Sequence, residues 1–252
     1  MTVPLFFADA DRLRACAVGD VVDLGGPEGH HAATVRRLTV GEKLDLADGD
    51  GLLCSAEVTA VVGRALRARV LTRTQLERPQ PRVTVVQALA KGDRDERAVE
   101  ALTEVGVDAV VPWQASRSVA RWDPVRAEKG VSAWRTTARE AAKQTRRPWL
   151  VDVHPLESTA AVANRLAATV GGGGQAFVLH ETATRPLLDI AVNKLGDVSL
   201  VIGPEGGIAD DELAAFEAAG AIVCRLGQTV LRTSTASTVA LALVLAQSGR
   251  WS

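Results

Sequence analysis

Three short stretches near the end of the 252-residue chain carry residue types suited to gripping a small ligand. They are LHET (179–182), GPEGG (203–207) and LGQTVLRTSTAS (226–237). Glycines at 203, 206 and 207 let the backbone approach a ligand closely and take up positive φ. Pro204 has no N–H, so this turn is not a continuous nest of donors for an anion. Asp210, Asp211 and Glu212 follow at the start of the next helix, where they complement its dipole and would repel a phosphate. A ligand with a flat heterocycle and a positive centre suits such a turn better, because its ring edges can bond to main-chain N–H and C=O groups. S-adenosylmethionine is of this kind, with an adenine, a sulfonium cation and no phosphate. A tight strand-to-helix turn without a ligand is the alternative reading of the same residues.

The familiar nucleotide signatures fit poorly. A dinucleotide fold places its Gly-rich turn after the first strand, where this chain has AKGDRDER, and a P-loop needs Gly-Lys-Ser/Thr, which is absent. The formal net charge is −1, but its distribution is uneven. Between Ser116 and Pro148 nine Lys or Arg stand against three acids, whereas from Phe177 onward five basic residues face eight acidic ones. A basic block in a near-neutral protein is either a footprint for a polyanion or a solvated helix face. Cys16, Cys54 and Cys224 are far apart with no metal or redox spacing, so no metal is expected and the economical home is a reducing cytoplasm. No apolar run approaches a membrane span, and no secretory signal is visible at the start.

The elements that must hold these groups fall into two sets. Residues 1–74 read as a small β-rich domain of short alternating runs, with Asp48-Gly49-Asp50-Gly51 as a hairpin turn and GHHAATVRRL (29–38) as a short helix. Residues 75–81 form a linker broken by Pro79 and Pro81. From residue 82 strands and helices alternate, with strands at 83–89, 108–113, 150–155, 176–181, 198–203 and 221–227 and helices over RDERAVEALTEVG and ADDELAAFEAAG. That alternation predicts an α/β domain with a mostly parallel sheet and helices on both faces, ligands sitting outside the carboxyl ends of the strands. Asp123-Pro124 starts a helix running to about Arg147, on which Arg135, Arg139 and Lys143 recur every four residues as one stripe. The four glycines at 171–174 read as a flexible connector.

LHE, VIGPEGGIADDE and LGQTVLRTSTAS, in that order and spacing, resemble the SPOUT methyltransferases, and more specifically the family that methylates N3 of a uridine in 16S ribosomal RNA of the small subunit. The resemblance covers nearly the whole chain. GHHAATVRRLTVGEKLDLADGDG is similar to that family's N-terminal PUA-like RNA-binding domain, and DRDERAVEALTEVGVDAVVPWQASRSVA and AREAAKQTRRPWLVDVHP to its central region. The match departs at Ser234, where the family usually has an acid, and at Ser116-Arg117-Ser118, where Glu-Arg-Ser is more frequent.

The resemblance implies an N-terminal PUA-like barrel over 1–74 and a SPOUT domain over 82–252 whose C-terminal chain forms a trefoil knot. It implies S-adenosyl-L-methionine as cofactor, held by Leu179, His180, Gly203, Glu205, Gly206, Leu226, Gly227, Leu231 and Arg232. It further implies a homodimer acting on 16S ribosomal RNA or the small subunit. Uridine N3 must lose its proton, and negative charge then spreads onto the flanking carbonyl oxygens. Arg232 is the expected stabiliser of that charge, with a salt bridge to Glu205 as its structural alternative, and Glu205 is a second catalytic candidate. N3 lies on the Watson–Crick edge, so the base must be unpaired or flipped. His30, His31, Arg36 and Arg37 from the small domain, with Arg117, Arg121, Arg135, Arg139, Lys143, Arg146 and Arg147, are the expected RNA contacts, although packing is an equal reading for the histidines. Trp113, Trp122 and Trp134 could serve the core or a dimer contact. Two rival functions are a non-catalytic RNA-binding or ribosome-assembly protein and an enzyme of the same fold acting on another RNA or on a ribose 2′-hydroxyl.

Overall fold

In the computed structural model, which describes residues 3–251, the chain divides into two units. One runs up to Arg78 and takes in Ala142–Leu150, and the other holds Pro79–Ala141 and the chain from Val151 onward. Among the described residues no helix is long and apolar enough to cross a membrane.

The first unit comprises β1 (Leu5–Phe7), α1 (Ala10–Ala15), β2 (Val21–Leu24), α2 (Gly26–His30), β3 (Lys43–Ala47), β4 (Leu52–Val62) and β5 (Ala65–Gln75). Its five-stranded sheet has the order β1-β3-β4-β5-β2 and is antiparallel except for the β1–β3 pair. Burial follows the period of two. Leu52, Cys54, Ala56 and Val58 on β4 and Leu66, Ala68 and Val70 on β5 point into one core, and their neighbours turn outward. The hairpin expected at 48–51 joins β3 to β4. The Asp48 carboxylate accepts from the N–H groups of Asp50 (2.6 Å) and Leu52 (3.1 Å), closing the turn. Gly51 has φ +92°, and a Cβ there would lie 2.2 Å from the ring of Trp149, so both backbone and space demand glycine. The helix expected over 29–38 begins three residues earlier, where Pro27 sits in the first turn, and passes into a π-helical turn at His31–Val35.

The second unit runs β6 (Val83–Ala88), α3 (Arg94–Val105), β7 (Ala109–Trp113), α4 (Pro124–Gln144, its last turn counted with the first unit), β8 (Asp152–Val153), α5 (Thr159–Gly171), β9 (Gln175–Leu179), β10 (Val198–Ile202), α6 (Asp210–Ala218), β11 (Ile222–Cys224) and α7 (Thr233–Ser248). All six strands are parallel, in the order β11-β9-β10-β6-β7-β8. Both faces are covered, which is why these strands read as unbroken apolar runs. Val83, Val85, Phe177 and Leu200 pack against α3, α4 and α7, while Val86, Val111, Val178 and Val201 pack against α5 and α6. Trp113, Trp122 and Trp134 are core residues. Trp113 meets Phe216 edge-on at 5.3 Å, and Trp122 meets Trp134 at 5.7 Å. The glycine run is not a loose connector throughout, since a Cβ at Gly174 would lie 2.2 Å from the carbonyl oxygen of Asp197.

The register of the sheet sets up the site. Leu179 at the end of β9 pairs with Ile202 of β10 on one side and Cys224 of β11 on the other. Three loops therefore leave the sheet at one level and on one edge. Since β10 sits between β9 and the first strand of the unit, β6, the strand order reverses beside them, where α/β sheets hold ligands.

Candidate active site

Those three loops enclose a cavity of about 380 Å³, within the range of roughly 300–1,000 Å³ typical of small-molecule sites. Leu179, His180 and Glu181 form one wall. Ile202 to Glu205 with Gly207 and Ile208 form a second, and Arg225 to Thr233 with Ala236 close the third. Of the expected cofactor residues, Leu179, His180, Gly203, Glu205, Leu226, Gly227, Leu231 and Arg232 line this space. Gly206 does not. It packs against Arg117, whose carbonyl oxygen would be 3.0 Å from an added Cβ.

Each wall is fixed by its own bonds. The His180 N–H continues the sheet by donating to the Cys224 carbonyl at 2.9 Å, and the Thr182 N–H donates to His180 Nδ1 at 3.3 Å. Gly203 approaches Ile208 so closely that a Cβ would lie 2.7 Å from its Cγ1. Gly207, at φ +75°, closes a turn by donating to the Pro204 carbonyl at 2.9 Å. Thr233 Oγ1 donates to the Gly203 carbonyl at 2.7 Å and accepts from Gln87 Nε2 at 2.9 Å, which ties the start of α7 to β10 and β6. By contrast, residues 226–231 make no main-chain hydrogen bond outside helices and strands among the described residues, so their N–H and C=O groups remain open to a ligand.

The acids after the glycines divide by role. Glu212 is buried, and its carboxylate accepts from the Ser116 N–H (2.8 Å), Ser116 Oγ (3.0 Å), Thr159 Oγ1 (2.8 Å) and the Ala209 N–H (3.2 Å). It is a staple between loops as well as the cap of α6. Glu205 pairs with Arg94 at 2.9 Å rather than with Arg232. The guanidinium of Arg232 has no hydrogen-bond or ionic partner among the described residues and stands exposed at the rim of the cavity. Burial pushes the Cys224 thiol up to about 12, so thiolate chemistry is not available from the strand beneath.

The other expected contacts are dispersed. Arg117 donates to the Ile208 carbonyl (3.4 Å), Arg121 to that of Ser116 (2.7 Å) and Arg135 to that of Val153 (3.0 Å). The Arg135, Arg139, Lys143 stripe grades from exposed through half-buried to buried, and the Lys143 ammonium lies 3.5 Å from both oxygens of Glu28. In the first unit His31, Arg36, Lys143 and Arg146 border a second cavity. Arg37 is exposed away from that lining, Arg147 is half-buried and His30 has a buried Nδ1 with no partner among the described residues. Among residues not anticipated, Ile208 and Thr233 lie inside the quoted motifs, whereas Gln87 and Arg94 follow from strand order alone. Among the described residues no group of three or more His, Cys, Asp or Glu converges as a metal site would require.

Residues 77–245 match the model of an RNA methyltransferase domain family, and residues 24–71 match an RNA methyltransferase PUA domain. The sheet, the loops at its edge and these matches define the class: the chain belongs to the RNA methyltransferase family. Within it, the chain is similar to the Ribosomal RNA small subunit methyltransferase E of Mycobacterium tuberculosis (strain CDC 1551 / Oshkosh), at 47% identity over 100% of this chain and 94% of the relative. The Bacillus subtilis (strain 168) protein of the same name is 29% identical over 88% of this chain and 89% of its own. In fold it is like the crystal structure of a Ribosomal RNA small subunit methyltransferase E from Neisseria gonorrhoeae bound to S-adenosyl methionine. That likeness has a TM-score of 0.85 and 24% identity, covering 97% of this chain and 98% of the other.

Proposed function

We propose that this protein transfers a methyl group from S-adenosylmethionine to N3 of a uridine in 16S ribosomal RNA. The 47% identity to a Ribosomal RNA small subunit methyltransferase E along the whole chain supports the target. The observation that carries the cofactor is the cavity at the edge of β9, β10 and β11, whose residues 226–231 have main-chain groups without a main-chain partner among the described residues, beside the apolar side chains of Leu179, Ile202, Leu226 and Leu231. A flat heterocycle fits such walls, with apolar contacts to its faces and main-chain bonds to its edges. Glu181 on the lining can face a cationic centre, whereas Glu205 is already paired with Arg94, and Arg225 and Arg232 line the same space. When bound, the cofactor supplies an electrophilic methyl carbon on a sulfonium. The chain's own work is to hold the base near that carbon and to exclude water.

Arg232 is the group we assign to the uridine ring. With no acid among the described residues to neutralise it, its guanidinium can stabilise the charge that appears on a carbonyl oxygen as N3 is deprotonated. Glu205, held by Arg94, is the second catalytic candidate, orienting groups at the mouth or accepting the proton. The finer architecture belongs to the same proposal. The last segment forms a trefoil knot, residues 1–74 a closed PUA-like barrel and residues 82–252 the catalytic domain. Two copies associate as a homodimer working in the cytoplasm. His30, His31, Arg36 and Arg37 with Arg117, Arg121, Arg135, Arg139, Lys143, Arg146 and Arg147 are the assigned RNA contacts. Calorimetric titration with S-adenosylmethionine tests the cavity, and mass analysis of 16S RNA nucleosides after incubation tests the reaction. An appearance of 3-methyluridine is expected. A 2′-O-methylated nucleoside, or RNA binding without cofactor binding, would replace this reading with one of its rivals.

A further inference from the structure

Arg225 follows Cys224, the last residue of β11, and lines the cavity at the edge of β9, β10 and β11. Cys224 pairs with Leu179, so Arg225 stands level with His180, just past the carboxyl ends of the strands. Its main chain is already committed. The N–H donates to the Arg185 carbonyl at 3.0 Å, and the carbonyl accepts from the Leu187 N–H at 2.8 Å. Residues 226–231 differ in this respect, because their main-chain groups have no such partner among the described residues. What Arg225 can offer a ligand is therefore its side chain.

That side chain has no other employment. Its guanidinium makes no hydrogen bond or ion pair among the described residues, although the residue is half-buried and its Nε is shut off from solvent. Arg82, Gln87 and Gln247 also have a buried polar atom without a partner among the described residues, but they do not line the cavity. A buried N–H without an acceptor is unfavourable, and each one kept in a folded protein calls for a reason. In its present place the guanidinium has no bond to lose by turning toward an acid in the cavity. It has a fork of donors to gain by doing so.

S-adenosylmethionine would bring such an acid. It carries two positive centres, the sulfonium and the α-ammonium, and one negative centre, the carboxylate. Two guanidinium groups line the cavity, and Arg232 stands exposed at the rim, where it is assigned to the uridine. We propose that Arg225 binds the carboxylate of the cofactor and so makes the protein select S-adenosylmethionine over its decarboxylated form. The assignment rests on the S-adenosylmethionine reading of this cavity given above. A carboxylate is the fitting partner because its two oxygens match the parallel N–H donors of one guanidinium.

The test is calorimetric titration of the full-length protein with S-adenosylmethionine and, separately, with decarboxylated S-adenosylmethionine, which keeps the adenosine, the sulfonium and the amine. The wild type should bind the first roughly 10- to 100-fold more tightly, the range for hydrogen bonds to a charged group. Arg225→Met keeps much of the apolar stem. It should weaken S-adenosylmethionine by that same factor and leave the decarboxylated form as it was. Arg225→Lys keeps the charge without the fork, so it should fall between the two, and it carries the test if Arg225→Met fails to fold. Equal affinity of the wild type for the two ligands overturns the assignment while the cofactor reading stands. Equal weakening of both ligands in Arg225→Met overturns it too, leaving Arg225 a packing residue of the wall. A wild type that binds neither ligand overturns the cofactor reading and this assignment with it. Weaker binding of 16S ribosomal RNA by Arg225→Met, with its affinity for S-adenosylmethionine unchanged, would make Arg225 an RNA contact and overturn the assignment to the carboxylate.

Discussion

Arg232 is the side chain whose surroundings differ most from the bland expectation. A salt bridge to Glu205 is its obvious structural use, but Glu205 is occupied by Arg94, and Arg232 has no partner among the described residues at the cavity rim. On the proposed reading, Arg232→Ala lowers turnover by at least about 100-fold, the scale seen when an oxyanion donor is removed. Calorimetry should show S-adenosylmethionine still bound. Turnover equal to wild type would take Arg232 out of the mechanism. Asp95 supports a different prediction, one about stability. It opens α3 almost fully buried, and burial raises its carboxyl from the ordinary 3.8 to about 6, against the opposing pull of the Glu96 N–H. The folded chain then holds a proton that the unfolded chain has already released. The stability this group contributes is complete below about pH 4 and is lost as pH rises through about 6. Subtracting the denaturation curves of Asp95→Asn from those of the wild type should leave a decline of up to about 3 kcal/mol across that window. The variant should be the more stable protein at pH 7. A flat difference would show that Asp95 is solvated after all.

At the scale of elements, the site depends on how three strand ends are held in line. Thr233 supplies the clamp, its hydroxyl donating to the carbonyl of Gly203, just past β10, and accepting from Gln87 Nε2 on β6. Thr233→Val keeps the shape and removes both bonds, leaving the half-buried Gly203 carbonyl without its hydroxyl donor and Gln87 Nε2 with the Ala88 carbonyl at 3.3 Å alone among the described residues. A cost of about 2–3 kcal/mol in urea denaturation is expected. The proposed reaction should also show kcat falling more than KM, because Arg232 is the residue just before the clamp. A variant with unaltered stability would mean that water replaces the hydroxyl. The strands that bring these loops together were readable because they are buried on both faces and appear as short apolar runs between turn residues. The hairpin at 48–51 was readable because Asp and Gly leave few other conformations. Distant pairing was not readable. Lys143 sits on the expected helix with the expected spacing, but its burial depends on Glu28, 115 residues earlier in the chain. Gly206 looks like its neighbours in the sequence, but it packs against Arg117 and is not part of the cavity wall. The π-helical turn after His30 carries no periodic signal at all, since five residues are too few to show one.

Across the whole molecule, the alternation of strands and helices after residue 82 announced the parallel sheet, whereas the grouping of Ala142–Leu150 with the first unit could not be read. A helix period runs smoothly through Ala142, and nothing local marks that Ala142 packs with Leu5, Phe7 and Ala47. The same limit applies to the end of the chain, where Arg250 reads as an ordinary terminal cation. In the fold it is buried and reaches back to the start of the sheet. Its guanidinium donates to the Asp108 carboxylate at 2.5 Å and to the carbonyls of Pro81 (3.0 Å) and Gly106 (3.3 Å), while Asp108 also accepts from the Val83 N–H at 2.7 Å. One ion pair thus joins the entry to β6, the turn before β7 and the end of the chain. Arg250→Met removes the cation and leaves Asp108 charged, buried and, among the described residues, supported by the Val83 N–H alone. Breaking such a pair costs roughly 3–5 kcal/mol, or a fall in Tm of roughly 10 °C for a protein of this size. Adding Asp108→Asn to that variant removes the stranded charge and keeps an acceptor for Val83, so the double variant should regain a substantial part of the loss. Two melting curves that fall equally would show that the lost contacts of Arg250 with Pro81 and Gly106, rather than the pairing of charges, hold the terminus in place.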